Sequence, residues 1–217
     1  MAVEIKFCGM TRDVDADHAA SLGAAYVGVI FADSPRKLDP AQAARVLATV
    51  RGNAKTVGVF GPATIETIAT VAADVALDAV QLHGDPGPGM VERLRPFFGG
   101  EVWAVIRVAG ATLPDNATAL LNVADAVVLD AKVAGQLGGT GASFDWDSIA
   151  KTLERQRIRA RIVLAGGLNP ENVAHAVSIV APDIVDVSSG VESAPGIKDH
   201  ARMRAFSDAV RRRGDSK

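Results

Sequence analysis

The chain has 217 residues, 48% of them hydrophobic, 22% charged and 5% aromatic, with 23 lysines and arginines against 25 aspartates and glutamates for a net charge of −2. A chain of this length buries most of its apolar surface in one core, so a single domain over residues 1–217 is expected, with 212–217 as a flexible tail. The near-neutral balance gives no electrostatic footprint for nucleic acid or for an anionic membrane.

Short apolar, β-branched runs alternate with Ala/Leu-rich segments of helical period. In chain order, strands are predicted at Val3–Phe7, Tyr26–Phe31, Lys55–Phe60, Ala79–Leu82, Val102–Ile106, Ala126–Leu129, Arg161–Leu164 and Ile184–Val187. Most are continuously apolar, the pattern of parallel strands covered on both faces. Helices are predicted between and after them at Val14–Leu22, Pro40–Val50, Thr64–Ala73, Pro88–Phe97, an ill-defined stretch near Asn116–Leu121, Trp146–Gln156, Pro170–Val180 and Asp199–Arg211. Asp39-Pro40, Asp145-Trp146 and Asn169-Pro170 each read as a capping side chain before a first turn. Strand then helix, eight times at roughly 25–30 residues per unit, is the arithmetic of an α/β, single-domain (β/α)8 TIM barrel. A dinucleotide-binding open sheet would need a glycine-rich turn after the first strand, and Gly9 alone does not supply one. One cysteine, Cys8, excludes an intramolecular disulfide. No apolar stretch approaches the ~20 residues that span a bilayer, and Met1–Arg12 is no signal peptide, so a cytoplasmic protein is expected.

In such a barrel the chemistry sits at the carboxyl ends of the strands. The polar residues there are Cys8, Ser34-Pro35-Arg36, Gln81, His83, Arg107, Asp130, Gly166-Gly167 and Ser188-Ser189-Gly190. Cys8 reads either as an inert buried thiol or, with positive charge nearby, as a base or nucleophile. Asp130 ends a buried strand, where burial can keep a carboxyl protonated as a general acid, and the glycine-rich segment Gly135–Gly141 reads as a cover over it. Glycine loops after the last two strands let backbone amides approach an oxyanion, which makes a small phosphorylated substrate the leading expectation. Arg36 reads as a solvated charge or as a clamp on a carboxylate. His83 reads as a wall residue, and His18, His175 and His200 as helix surface. A metal-ligand cluster, a P-loop and a nucleophile elbow are all missing from the sequence, so no metal is expected.

Taken in order, Lys6-Phe7-Cys8-Gly9-Met10-Thr11, Ser34-Pro35-Arg36, Val57-Gly58-Val59-Phe60, Val80-Gln81-Leu82-His83-Gly84, Leu129-Asp130, Gly138–Gly141 with Phe144-Asp145-Trp146, Gly166–Val173 and Asp186–Glu192 resemble the phosphoribosylanthranilate isomerases of tryptophan biosynthesis. The resemblance implies a cofactor-free Amadori rearrangement in a monomer or homodimer. It places the catalytic base on Cys8, the catalytic acid on Asp130 and the arginine that meets the anthranilate carboxylate on Arg36. It further implies substrate contacts at Gln81, His83, Asp186 and the phosphate loops Gly166-Gly167 and Ser189-Gly190. Asp33 stands where many members carry a lysine. The related histidine-pathway isomerases, or a dual-substrate form of them, are the nearest alternative; they resemble this family in fold but carry aspartates at both catalytic positions, and Cys8 argues against them. A non-catalytic phosphosugar-binding barrel, the alternative of another class, would have no reason to place Cys8 and Asp130 at its mouth.

Overall fold

Eight short apolar segments hydrogen-bond edge to edge in chain order, and the last closes on the first. The computed structural model describes residues 2–50, 54–108, 110, 112–131, 145–154 and 158–212. Its barrel strands are β1 (Glu4–Phe7), β2 (Tyr26–Ile30), β3 (Lys55–Phe60), β4 (Ala79–Leu82), β5 (Glu101–Val108), β6 (Ala126–Ala131), β7 (Arg161–Leu164) and β8 (Ile184–Val187). All pair in parallel. Parallel neighbours need crossovers, which here are α1 (Asp13–Ser21), α2 (Pro40–Leu47), α3 (Ile65–Val75), α4 (Pro88–Leu94), α5 (Ala117–Val123), α6 (Trp146–Glu154) and α7 (Val173–Val180). After β8 come a small hairpin, β9 (Glu192–Ala194) and β10 (Ile197–Lys198), and the closing helix α8 (His200–Arg211). The expected (β/α)8 barrel is therefore the fold. The predicted cover Gly135–Gly141 and the tail beyond Arg212 lie outside the described residues. Among the described residues no helix is long and apolar enough to cross a membrane.

Side chains alternate along each strand, and this divides the apolar interior in two. One set, including Ile5, Phe7, Val27 and Val29, packs outward under the helices. The other fills the barrel itself, with Tyr26, Val57, Trp103, Val128, Val163 and Ile184 among its members. Tyr26 and Trp103 meet edge to face with centroids 4.7 Å apart, a geometry that contributes about 0.5–1.5 kcal/mol beyond area burial. At the amino ends of the strands a polar ring closes the barrel: Arg161 pairs with Glu4 at 2.7 Å and Lys55 with Glu101 at 2.5 Å. Arg161 also donates to the Tyr26 hydroxyl at 3.0 Å, and the Trp103 indole donates to Glu101 at 2.9 Å.

Two of the three predicted caps hold. Asp39 accepts from the Gln42 amide in a capping box, and Asp145 accepts from the Ser148 amide at 3.1 Å. The third is corrected: α7 begins at Val173, not at Pro170. Asn169 accepts from the amides of Glu171 and Asn172, both at 3.0 Å, while the Asn172 side chain accepts from the Asn169 amide and donates to the Gly167 carbonyl. The two asparagines tie a separate turn before the helix, and that turn braces the loop at Gly167.

Candidate active site

The alternation that sends Phe7 outward sends Lys6 inward, with Cys8 next on the inner face. The same rule places Gln81 and His83 at the end of β4, Arg107 and Asp130 at the ends of β5 and β6, and Asp186 and Ser188 at the end of β8. The ten predicted site residues, Cys8, Arg36, Gln81, His83, Asp130, Gly166, Gly167, Asp186, Ser189 and Gly190, all line one cavity at the carboxyl end of the barrel, with about 800 Å³ of empty space including its open mouth. Asp33 lines it as well. Cys8 and Asp130 approach it from strands separated by β7 and β8 on the shorter way round the barrel.

Cys8 is buried, and burial pushes its thiol above the usual range; Lys6 pulls it down, Asp186 pushes it up, and Lys198 pulls it down. The positive charge expected near Cys8 is present in two buried lysines, yet burial outweighs it. Lys6 is fully buried, donating to Asp186 Oδ2 at 2.7 Å and Gln81 Oε1 at 2.9 Å. With its Oε1 committed to Lys6, Gln81 turns its Nε2 to His83 Nδ1 at 3.2 Å, and His83 Nε2 then lies 3.7 Å from Asp130 Oδ2. A polar chain thus crosses the mouth from the Lys6 side to Asp130.

Asp130 carries a feature that the sequence reading did not include. Its register partner on β5 is Arg107, whose Nη1 donates to Asp130 Oδ2 at 2.6 Å while Nη2 donates to the His83 carbonyl at 3.1 Å. Burial alone is the expectation for Asp130. The structure adds a guanidinium beside it.

Arg36 is no solvated charge. Its Nε and Nη2 clasp both oxygens of Glu192 at 2.8 and 2.6 Å, and the fully buried Lys198 ammonium donates to the same carboxylate at 2.8 Å. Burial works against the Glu192 carboxylate, but Arg36 and Lys198 overcome it and hold the carboxyl below its usual range. Arg36 thus turns one edge of its guanidinium to Glu192 while lining the cavity.

The loops after β7 and β8 lie against each other. Gly166 and Gly167 take φ values of +83° and +68°, a left-handed run that favours glycine. Among the described residues the amides of Gly166 and Gly167 have no backbone acceptor. Gly190 sits so close to the first loop that a Cβ on it would lie 1.9 Å from the Leu168 carbonyl oxygen. Of the residues that matter here, Lys6 and Glu192 appear in the sequence only as members of quoted motifs. Arg107 appears only as a polar strand end, and Lys198 carries no local signal.

A closed parallel barrel with a thiol and a carboxyl in one mouth, beside two glycine-bearing loops, defines a β/α barrel with its candidate active site at the carboxyl ends of the strands. Comparison with known proteins narrows the class. Residues 5–209 match the family model described as N-(5'phosphoribosyl)anthranilate (PRA) isomerase. The chain is 43% identical over 215 residues to N-(5'-phosphoribosyl)anthranilate isomerase of Paramagnetospirillum magneticum, covering 97% of this chain and 98% of that protein. Among solved structures it is similar to phosphoribosyl anthranilate isomerase from Thermotoga maritima, with a TM-score of 0.86, 35% identity and coverage of 96% of this chain and 98% of that one. A further structure, with a TM-score of 0.83, 34% identity and coverage of 96% and 98%, is the isomerase in complex with reduced 1-(o-carboxyphenylamino)-1-deoxyribulose 5-phosphate. The chain belongs to the N-(5'-phosphoribosyl)anthranilate isomerase family.

Proposed function

We propose that this chain converts N-(5'-phosphoribosyl)anthranilate to 1-(2-carboxyphenylamino)-1-deoxyribulose 5-phosphate, the isomerisation of tryptophan biosynthesis, with Cys8 as base and Asp130 as acid. The observation that carries this reading is convergence: an acid, a thiol, a carboxylate-binding arginine and two oxyanion loops, drawn from β1, β2, β6, β7 and β8, all open onto one cavity.

The substrate phosphate is held by the amides of Gly166, Gly167 and the Ser189-Gly190 turn, and the anthranilate carboxylate by the free edge of Arg36. Asp130 gives a proton to the furanose ring oxygen. The C1–O bond breaks, the nitrogen lone pair forms the C1=N bond of a Schiff base, and the ring opens to a hydroxyl. Cys8 as thiolate then takes the C2 proton, the C2–H electrons form the C1=C2 bond, and those of C=N return to nitrogen. The enolamine tautomerises to the ketone. Arg107, 2.6 Å from Asp130, stabilises the carboxylate that remains after donation. His83, within 3.7 Å of the same oxygen, and Asp186 supply polar contacts to the sugar.

The test is a direct assay. Purified protein given freshly prepared phosphoribosylanthranilate, without metal or nucleotide, is expected to deplete anthranilate-type fluorescence; no turnover would overturn the reading.

A further inference from the structure

Among the described residues Lys6 is the largest charged side chain that is fully buried, and the reaction as written gives it no task. A lysine in that position has to be paired, because an isolated buried ammonium is costly. Two of its three donors go to Asp186 and Gln81. Its strand leaves it next to Cys8 on the inner face, and the neighbouring strand makes room for the two together. Gly28 on β2 has no side chain where a Cβ would come within 3.0 Å of Cys8 Sγ and 3.3 Å of Lys6 Cε, so thiol and lysine stem pack against the same bare stretch of backbone.

We propose that Lys6 is a positioning residue of this site: its ammonium, anchored by Asp186 and Gln81 beside Cys8, is the counter-charge against which the Cys8 thiolate forms. The other charged groups that face Cys8 are Asp186 on β8, Lys198 on β10 and Arg36 in the loop after β2. Arg36 and Lys198 both share the Glu192 carboxylate, and burial drives Lys198 below the usual lysine range. Burial also works to discharge Lys6, but Asp186 and Cys8 outweigh it and keep the ammonium charged. Among the charges around Cys8, Lys6 has the largest effect, larger than the opposing one of Asp186. The inference rests on the assignment of Cys8 as base, yet it is measurable without turnover.

Cys8 is the only cysteine in the chain, so the difference in ultraviolet absorbance between each protein and its Cys8→Ser counterpart across a pH titration reads this thiolate alone. Lys6→Met is expected to raise the midpoint by about one pH unit or more, lowering the thiolate fraction near neutral pH about tenfold. Because that variant leaves Asp186 without its partner and can fail to fold, Lys6→Met/Asp186→Asn is measured too; it replaces the ion pair with neutral groups of similar size. A midpoint raised in the double variant supports the proposal. An unchanged or lowered midpoint in either variant, or a rise in the single variant that vanishes in the double, would overturn it. The pH profile of kcat/KM separates the two claims: a limb that moves with the midpoint supports both. A midpoint that moves under a stationary limb removes Cys8 as the base but leaves Lys6 as its counter-charge.

Discussion

Gly190→Ala puts one methyl group between the two loops proposed to hold phosphate. That methyl would lie 1.9 Å from the Leu168 carbonyl oxygen, 3.0 Å from its carbon and 3.2 Å from Asn169 Cα. Ordinary contact needs about 3.5 Å, so the loops must part by about 1.5 Å. No flexible side chain is available to yield, because the opposing atoms are backbone. They are held by Asn172 on one side and by Arg202, which donates to the Gly190 carbonyl at 3.1 Å, on the other. Overpacking of this kind costs about 1–3 kcal/mol, which at about 2–4 °C per kcal/mol for a chain of this size is a fall in Tm of about 2–12 °C. A displacement beyond 1 Å at a substrate-positioning loop costs on the order of 10²-fold in kcat/KM. Since the phosphate does not react, most of that loss is expected in KM. Thermal unfolding, steady-state kinetics and calorimetric binding of a phosphorylated product analogue measure the three effects. A variant that loses Tm but binds the analogue as tightly as wild type would refute the assignment of the loops to phosphate, and one unchanged in both would refute the steric argument.

Cys8→Ser is expected to bind the product analogue normally and to lose at least about 10³-fold in kcat, because a hydroxyl ionises far less readily than a thiol; near-normal turnover would remove Cys8 from the mechanism. Asp130→Asn keeps shape and phosphate binding but has no proton to give, so forward turnover should fall by at least about 10²-fold, and the reverse reaction from product should fail equally. Glu192→Gln loosens the hold on Arg36, so KM should rise about five- to tenfold with kcat little changed, whereas a fall in kcat alone would place the Arg36–Glu192 pair in the chemistry. For Asp15, burial works against the carboxylate, and bonds from Arg12, His200 and the Lys198 amide overcome it and hold the carboxyl below its usual range. A depressed carboxyl stabilises the fold above its unfolded value of about 3.9 and loses that contribution as pH falls toward the lower folded value. Asp15→Asn should therefore lower Tm at pH 7, with the gap to wild type closing below about pH 4; a gap independent of pH would show that charge at Asp15 is not what matters.

Strand positions were readable because a parallel barrel strand is covered on both faces, so the apolar run itself marks the element. Their ends were less readable. β5 and β6 run two residues further than Ile106 and Leu129, since the first residues past the apolar runs, Arg107 and Asp130, are polar yet satisfy each other across the ladder instead of facing water. The candidate site was legible one residue at a time, because carboxyl ends of strands are local features of the sequence. The partners were not. Lys6 with Asp186, Arg36 with Glu192 and Arg107 with Asp130 are separated by 180, 156 and 23 residues, and no periodicity reports which side chains a closed barrel brings together. Lys6 alone left a usable trace. It is a charged residue in an apolar strand, two positions before Cys8, and a parity count puts both on the inner face.

The ring of Glu4, Arg161, Lys55 and Glu101, backed by Tyr26 and Trp103, seals the barrel at the end away from the site. The vessel therefore has a floor as well as a mouth, and whatever enters must leave by the same door. Substrate and product share the phosphate and the carboxylate, so each excludes the other from the one passage. Under the proposed function, accumulating product is then expected to compete with substrate for the one passage.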